Sequence, residues 1–307
     1  STIKPSARVA RDSRAKDKIS MTIAFLNGAF IALEDAKISP MDRGFLFGDG
    51  IYEVIPSYGG RLVGLHLHLA RLESGLRDIG IETSWGRAEL TNIFQDLLTR
   101  NGAGNLGIYL QITRGVTMTR QHAFPAQPTP TIFAYTFEIP QPVPGDPSKV
   151  THWQVATAQD MRWQRCHIKS TSLLGNVLHM MDGVNSGAGE TLLFDDCDQL
   201  TEAAACNVFV VKGETVSTPP LDRHKLAGVT RDMALVILRE HSEFTVREEH
   251  LSREAVFDAD EVWLSSSTKE LEPIVSIDGQ SVGNGAPGPI WSRAQTLFDE
   301  HRFDHFE

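Results

Sequence analysis

The sequence is short of several features that would point to common protein classes. Cysteine is rare: Cys166, Cys197 and Cys206 are the three in 307 residues. They form neither a C-x-x-C pair nor the spacing of a zinc site, so we expect no disulfide framework and no metal. A reducing, cytoplasmic setting fits this cysteine usage best. No apolar run approaches the length of a membrane span, so we expect no membrane association.

Positive charge is also in deficit. Lysine and arginine number 29 against 39 aspartates and glutamates, and the formal net charge is −10. This balance argues against nucleic acids and anionic membranes as partners, because both require a basic surface. A local basic site for an anionic small molecule is compatible with this negative net charge.

The first twenty residues differ in composition from the rest. Basic residues crowd a stretch with few large apolar side chains: Lys4, Arg8, Arg11, Arg14, Lys16 and Lys18. Asp12, Asp17 and the lack of an apolar face disfavour an amphipathic targeting peptide. Residues 1–20 are therefore predicted to be a disordered N-terminal extension.

A proline-rich segment divides the remaining chain. Four prolines lie between Pro140 and Pro147, where neither a helix nor an interior strand can form. Residues 139–149 are therefore predicted to link a small α+β domain, residues 21–138, to a large domain, residues 150–307. Strands and helices are interspersed without the regular spacing of a doubly wound sheet.

Local patterns predict several elements of these domains. Asn27-Gly28 between two apolar runs is typical of a hairpin closed by a type I′ turn. Apolar residues recur every three or four positions over residues 65–79, which predicts an amphipathic helix. Further helices are predicted near residues 173–184 and 230–241.

Two residues have neighbours that set them apart. Lys169 lies beside Ile168, Leu173 and Leu174. A partly desolvated lysine loses its proton more easily and can form a Schiff base, whereas most lysines are solvated surface residues. Glu202 precedes three alanines and a strand-like run. The small side chains predict that a flat group approaches the backbone, although a turn explains the glutamate alone.

Other segments could bind anions. Gly228 and Thr230 open a predicted helix, whose free N–H groups would suit a phosphate, although plain capping by Thr230 explains the segment equally well. Residues 265–268 end a strand with four hydroxyl groups, and Arg71 lies on the predicted 65–79 helix. A hydrophilic strand end and a solvated helix face are the alternatives. Together with Lys169, however, these groups match what pyridoxal 5′-phosphate requires.

A loop supplies a possible carboxylate trap. Arg120-Gln121-His122 follows a strand-like run that ends in Thr113-Arg114-Gly115. Side chains two residues apart in an extended segment point the same way, so Arg120 and His122 could bind one carboxylate together. A solvated loop is the alternative.

Five sequence stretches resemble the fold-type IV pyridoxal-phosphate enzymes, which include branched-chain aminotransferases, D-amino acid aminotransferases and aminodeoxychorismate lyase. In chain order they are DRGFLFGDGIYE from residue 42, HLARL from 68, IKS from 168, TE from 201 with NVF from 207, and GVTRD from 228. The resemblance covers roughly residues 24–280. It implies a two-domain α+β / α/β fold, with a small N-terminal domain and a larger C-terminal domain whose β-barrel-like core is flanked by helices.

The resemblance also implies pyridoxal 5′-phosphate as cofactor and assigns residues to it. Lys169 is the implied catalytic residue, which forms the Schiff base and moves the proton. Glu202 would pair with the ring nitrogen, and Leu226 would pack on the ring. The phosphate would be held by Arg71, Val229, Thr230, Ser266 and Ser267. Asn207 also matches a family position, but no chemical role is assigned to it.

The Arg-x-His-x-Phe-Pro stretch that begins at residue 120 resembles the D-amino acid aminotransferase branch. By that resemblance Arg120, His122 and Tyr52 bind the substrate α-carboxylate, and Val54 belongs to the substrate pocket. Arg120 and His122 would reach in from the other subunit of a homodimer. The expected reaction is ping-pong transfer of an amino group from a D-amino acid, such as D-alanine, to 2-oxoglutarate or pyruvate.

Alternatives and departures accompany this expectation. A transaminase for branched-chain L-amino acids or (R)-amines, or an enzyme like aminodeoxychorismate lyase, would have the same fold. A non-catalytic cofactor-binding protein is disfavoured by the presence of both Lys169 and Glu202.

The sequence also departs from the family pattern. Residues 203–206, Ala-Ala-Ala-Cys, stand where well-known D-amino acid aminotransferases have a serine-rich run, which predicts fewer hydrogen bonds to the cofactor or a less polar pocket. Pro56 stands where the best-known D-amino acid aminotransferase has a lysine, which predicts a more apolar pocket for the substrate side chain.

Overall fold

The computed structural model describes residues 22–102 and 104–304, so the predicted extension over residues 1–20 lies outside the described residues. The helices are α1 (Arg43–Phe47), α2 (Leu65–Asp78), α3 (Arg87–Asn101), α4 (Leu174–Asn185), α5 (Val229–His241), α6 (Arg253–Phe257) and α7 (Pro289–His301). The strands are β1 (Ile23–Leu26), β2 (Ala29–Ala32), β3 (Gly50–Tyr58), β4 (Arg61–Leu62), β5 (Asn105–Thr113), β6 (Thr131–Glu138), β7 (Trp153–Gln159), β8 (Glu190–Phe194), β9 (Leu200–Ala203), β10 (Asn207–Lys212), β11 (Thr215–Thr218), β12 (Thr245–Glu248), β13 (Glu261–Ser266), β14 (Glu270–Ile277) and β15 (Gln280–Ser281).

The first six strands form one antiparallel sheet in the order β2-β1-β6-β5-β3-β4. Asn27 and Gly28 both have positive φ, 48° and 96°, as a type I′ turn requires, which confirms the predicted hairpin. The apolar residues of α2, among them Leu69, Leu72 and Leu76, pack with Ile51 of β3 in one buried cluster. The apolar residues whose spacing predicted this helix therefore form its buried face.

The remaining strands form a mixed nine-stranded sheet in the order β12-β11-β10-β13-β14-β7-β8-β9, with β15 paired to β14. The β11–β12, β14–β7 and β7–β8 pairs are parallel, and the others are antiparallel. Helix α4 lies against β7 and β8, while α5 and α7 contact each other and β13. The two sheets with their helices confirm the predicted α+β class. In the described chain, no helix or strand lies between Glu138 and Trp153.

The segment that carries Lys169 is bonded to the first sheet, although it lies in the second half of the chain. The Tyr52 N–H donates to the Lys169 carbonyl at 3.1 Å, and the Thr171 N–H donates to the Gly50 carbonyl at 3.0 Å. Ile51 and Ser170 form the bridge between these two bonds. Main-chain hydrogen bonds from β3 therefore fix the position of Lys169.

Candidate active site

A cavity of about 370 Å³ is lined by both halves of the chain. Tyr52 on β3 and Arg71 on α2 come from the first half. The other predicted residues that line the cavity come from the second half: Lys169, Glu202, Leu226, Val229, Thr230, Ser266 and Ser267. The fold thus gathers these predicted site residues, which are spread over more than two hundred positions of sequence, around one space.

Lys169 presents its amine to this cavity. The Nζ atom lies 4.2 Å from the centroid of the Tyr52 ring, within the range of a cation–π contact. The neighbours Ile168 and Ser170 are buried, and Lys169 itself is partly buried. The side chain is therefore partly withdrawn from solvent, as its apolar sequence neighbours suggested.

Both carboxylate oxygens of Glu202, on β9, accept hydrogen bonds. Its Oε1 accepts from Arg162 Nη1 at 2.6 Å. Its Oε2 accepts from the Leu226 N–H at 3.1 Å and from Asn207 Nδ2 at 3.2 Å. Burial raises the pKa of the Glu202 carboxyl, and Arg162 and the Leu226 N–H oppose that rise.

Arg162 and Asp160 are site residues that the sequence did not reveal. Arg162 donates to Asp160 through Nε at 2.9 Å and Nη2 at 2.7 Å, beside its bond to Glu202. Thr201 Oγ1 also donates to Asp160, at 2.8 Å. Two carboxylates share one guanidinium, so the cluster carries one negative charge in excess and favours a cation beside Glu202.

Asn207 links Glu202 to the loop before α5. Its Nδ2 donates to the Leu226 carbonyl at 2.9 Å as well as to Glu202. A Cβ added at Gly228 would lie only 1.9 Å from Asn207 Oδ1, so glycine alone fits beside this side chain. The role left open for Asn207 is therefore one of positioning.

Arg71 is held by partners from two distant segments of the chain. Its Nε and Nη2 donate to the two oxygens of Glu53, both at 2.7 Å, and its Nη1 donates to the Ala227 carbonyl at 2.8 Å. His68 Nδ1 lies 2.7 Å from Glu53 Oε2. Burial opposes ionisation of Glu53, but Arg71 and His68 outweigh it and lower the pKa of Glu53 to about 2. Burial lowers the pKa of His68, and the bond to Glu53 opposes that shift.

The start of α5 offers an anion site. The helix begins at Val229, and its N-cap is Gly228, with no hydrogen bond from a capping side chain. Capping by Thr230, the alternative explanation of this segment, is therefore wrong. The Oγ of Ser265, which also lines the cavity, is buried without a hydrogen-bond partner among the described residues. Unpaired N–H groups and a free hydroxyl are what a phosphate would bind.

The alanine run after Glu202 lines the cavity, as does Cys206. Burial raises the pKa of Cys206 to about 12, so this side chain is a neutral thiol. The wall at this point is thus formed by methyl groups, backbone and one thiol. It is less polar than a serine-rich wall would be.

Arg120, His122 and Val54 do not line the cavity of their own chain. Arg120 and His122 are exposed, and both pack on Phe47 of α1: the Arg120 Cζ lies 4.9 Å and the His122 ring 5.5 Å from the centroid of the Phe47 ring. Buried Arg43 anchors their loop by donating to the Gln121 carbonyl at 2.6 Å and the His122 carbonyl at 3.1 Å. The loop is therefore attached to α1 but contributes neither Arg120 nor His122 to the lining of its own cavity.

No group of three or more His, Cys, Asp or Glu side chains within 22–102 and 104–304 is arranged to hold a metal ion. No helix in these same ranges is long and apolar enough to span a membrane.

Comparison with known proteins gives the class. Residues 50–277 match the family model of amino-transferase class IV, and the chain belongs to this family. Its sequence is 39% identical to the D-alanine aminotransferase of Bacillus licheniformis over 270 residues, which are 88% of this chain and 93% of that protein. Identity to the D-alanine aminotransferase of Staphylococcus haemolyticus is 37% over 282 residues, covering 92% of this chain and 98% of that protein.

Solved structures support the same fold. The branched-chain amino acid aminotransferase of Escherichia coli superposes with a TM-score of 0.84 at 25% identity, covering 91% of this chain and 94% of that one. A second branched-chain amino acid aminotransferase, from T.th. and solved with pyridoxamine 5′-phosphate, has a TM-score of 0.85 at 22% identity, covering 93% of this chain and 95% of that one. These matches confirm the fold type and the family expected from the sequence.

Proposed function

We propose that this class IV aminotransferase is a D-amino acid aminotransferase that uses pyridoxal 5′-phosphate. The observation that carries the proposal is the meeting of Lys169, Glu202 and the uncapped start of α5 in one cavity. Relatives that are 34–39% identical over most of the chain are D-alanine aminotransferases. The donor is a D-amino acid such as D-alanine, and the acceptor is 2-oxoglutarate or pyruvate.

The residues of the cavity fit this cofactor at both ends. At one end, the excess negative charge shared by Asp160, Arg162 and Glu202 fits a protonated ring nitrogen. At the other end, the first N–H groups of α5 and the buried hydroxyl of Ser265 fit a phosphate. When bound, the cofactor accepts the amino group and stabilises the negative charge that develops at the substrate Cα.

The chain's own residues then have distinct tasks. Lys169 Nζ would hold the cofactor covalently in the resting enzyme and, once displaced by the substrate amine, would be free to remove and return the proton at the substrate Cα. Arg71, Val229, Thr230, Ser266 and Ser267 hold the phosphate, and Leu226 packs on the ring. The Glu202 carboxylate would accept a hydrogen bond from the protonated ring nitrogen. Tyr52, which borders Lys169, contributes to the carboxylate site.

A homodimer is part of the proposal. Arg120 and His122 are ordered on Phe47 but lie outside their own cavity, which supports a role at the cavity of a second copy. Helix α4 also exposes an apolar face at helical spacing: Leu174, Val177, Leu178, Met181 and Val184. Leu174 is 70% exposed, and a second copy packed on this face would remove it from water.

The remaining expectations concern the setting. All cysteines are free thiols, which supports a reducing, cytoplasmic location. The net charge of −10 supports partners that are small molecules, with neither nucleic acid nor membrane among them.

The stereochemistry provides the direct test. Purified enzyme with the cofactor is given D-alanine or L-alanine together with 2-oxoglutarate, and pyruvate is measured. We expect D-alanine to react at least about 100-fold faster, because misplacing the Cα–H relative to Lys169 is costly. Without an acceptor, pyruvate should stop at one equivalent per active site, as ping-pong turnover requires. Faster reaction of L-alanine would contradict the proposed function.

Arg120 tests whether the substrate is recognised through its carboxylate, which an amino acid has and an (R)-amine lacks. Arg120→Ala should lower kcat/KM for D-alanine by about 10- to 150-fold, the loss of one charged hydrogen bond to a carboxylate. An (R)-amine has no carboxylate and should be little affected. Arg100→Ala, which removes a surface arginine stacked on Phe30, is the control.

Mixing subunits tests whether Arg120 acts across the dimer. Weakly active Arg120→Ala chains combined with inactive Lys169→Ala chains should give more activity than either chain alone. In the mixed dimer one site then has its own Lys169 and the Arg120 of the other copy. If mixing restores nothing, Arg120 serves its own chain or none.

A further inference from the structure

Glu202 belongs to a buried cluster of charged side chains that makes more hydrogen bonds than a simple ion pair. The side chains of Arg162, Glu202 and Asp160 are only 2%, 7% and 9% exposed. Arg162 uses its Nε and Nη2 on Asp160, its Nη1 on Glu202 and its Nη2 again on the His224 carbonyl at 3.1 Å. The guanidinium is therefore fixed on three sides, with one donor directed at Glu202 Oε1.

We propose that Arg162, held by Asp160, is a positioning residue that keeps the shared proton on the cofactor's ring nitrogen and off Glu202. The inference rests on the proposed function, because it needs the ring nitrogen beside Glu202. It assigns a chemical task to two residues that do not themselves contact the reacting atoms.

Competition for one proton is the physical reason. A carboxylate and a pyridine nitrogen in contact share a proton, which resides on the stronger base. Burial strengthens Glu202 as a base, since it disfavours the charged carboxylate. The donors on Oε2, Leu226 and Asn207, are neutral. Arg162 is the cation bonded to Glu202, and it weakens the carboxylate as a base.

Asp160 compensates the positive charge of Arg162. An uncompensated guanidinium near the ring would repel a protonated nitrogen. Arg162 is bonded through two nitrogens to Asp160, and the pair has no net charge. Arg162 Nη1 still donates to Glu202 and stabilises the ionised carboxylate. Thr201, the neighbour of Glu202 on β9, donates to Asp160 and so aligns the pair with the strand that carries Glu202.

The protonation state of the ring nitrogen can be measured directly. Wild-type enzyme, Arg162→Gln and the double variant Asp160→Asn/Arg162→Gln are loaded with pyridoxal 5′-phosphate labelled with ¹⁵N in the ring, and the ¹⁵N chemical shift is recorded. Loss of a cation bonded to Glu202 raises its basicity by about one pKa unit or more. We therefore expect the ratio of protonated to unprotonated ring nitrogen to fall about tenfold in both variants.

The variants are chosen to separate this role from a structural one. The double variant removes one positive and one negative charge, so the buried excess charge, and with it folding, is preserved. Arg165→Gln, at an exposed position three residues further on, is the matched control and should keep the wild-type shift. A wild-type chemical shift in both variants, with the cofactor bound, would overturn the inference and leave the proposed function intact. Failure of the wild-type enzyme to bind the labelled cofactor would instead overturn the proposed function.

Discussion

Replacing Lys169 by alanine is expected to reduce D-alanine transamination by about 10⁴-fold, the upper range for removing a positioned acid–base group. The amine enters the cavity from a partly buried segment and lies 4.2 Å from the centre of the Tyr52 ring. Among the described residues, no other lysine lines this cavity. No neighbouring amine can therefore take over the proton at the substrate Cα. Pyruvate formation from D-alanine measures the loss.

A second readout makes the Lys169 result specific. Borohydride reduction of the wild-type enzyme followed by peptide mapping should leave the cofactor on the peptide that carries Lys169. Lys212→Ala is the control, because Lys212 is a surface lysine paired with Asp258. It should keep both activity and labelling. Labelling of a different lysine would contradict the assignment and favour a non-catalytic cofactor-binding protein.

Replacing Glu53 by glutamine is expected to cause the largest loss of stability, roughly 3–5 kcal/mol. Glu53 is 1% exposed and bonds two nitrogens of Arg71 and one of His68. A glutamine amide keeps the shape but turns an N–H group toward these donors and leaves the Arg71 charge uncompensated. Urea unfolding measures the free energy, and titration with pyridoxal 5′-phosphate should show weaker binding, because Arg71 loses its orientation.

The matched control lies on α2, the helix that carries Arg71. Glu73 on α2 bonds the Arg87 fork at 2.7 and 2.6 Å, the same geometry, but the two side chains are 41% and 49% exposed. Because water screens an exposed pair, Glu73→Gln should cost far less stability than Glu53→Gln. Equal losses would show that geometry, and not burial, sets the contribution of Glu53.

The same carboxylate predicts how stability depends on pH. The pKa of Glu53 falls from its ordinary value of 4.5 to about 2 in the fold, so the folded state binds this proton more weakly than the unfolded state. Its stabilising contribution is therefore complete above pH 4.5 and is lost as the pH falls toward 2. Glu53→Gln should lack this part of the acid-induced loss, which unfolding curves recorded across that range would reveal.

Local patterns in the sequence predict the parts of this site that lie on one stretch of chain. Lys169 is recognisable from its apolar neighbours, Glu202 from the alanine run, and the α5 start from Gly228 and Thr230. The hairpin at Asn27-Gly28 is predicted because turn chemistry acts over a few residues. In each case the determining contacts are close in sequence.

Contacts between distant segments could not be predicted in this way. Arg162 and Asp160 resemble a polar loop after β7, and their role appears only when β9 brings Glu202 to them. Glu53 and His68 belong to the stretches that begin at residues 42 and 68. They are fifteen positions apart, so the sequence does not show that they share a hydrogen bond. Strand β14 is internal to its sheet, although Pro273 and the glutamates at 270 and 272 are atypical of an interior strand.

The backbone bonds between β3 and the Lys169 segment have a consequence for motion and for folding. Lys169 belongs to the second half of the chain, yet its carbonyl accepts from Tyr52 in the first. A hinge that opened the two halves would break these bonds before it admitted any ligand. Substrate exchange should therefore proceed through loops at the rim of the cavity. For the same reason, either half made alone would lack a correctly placed Lys169.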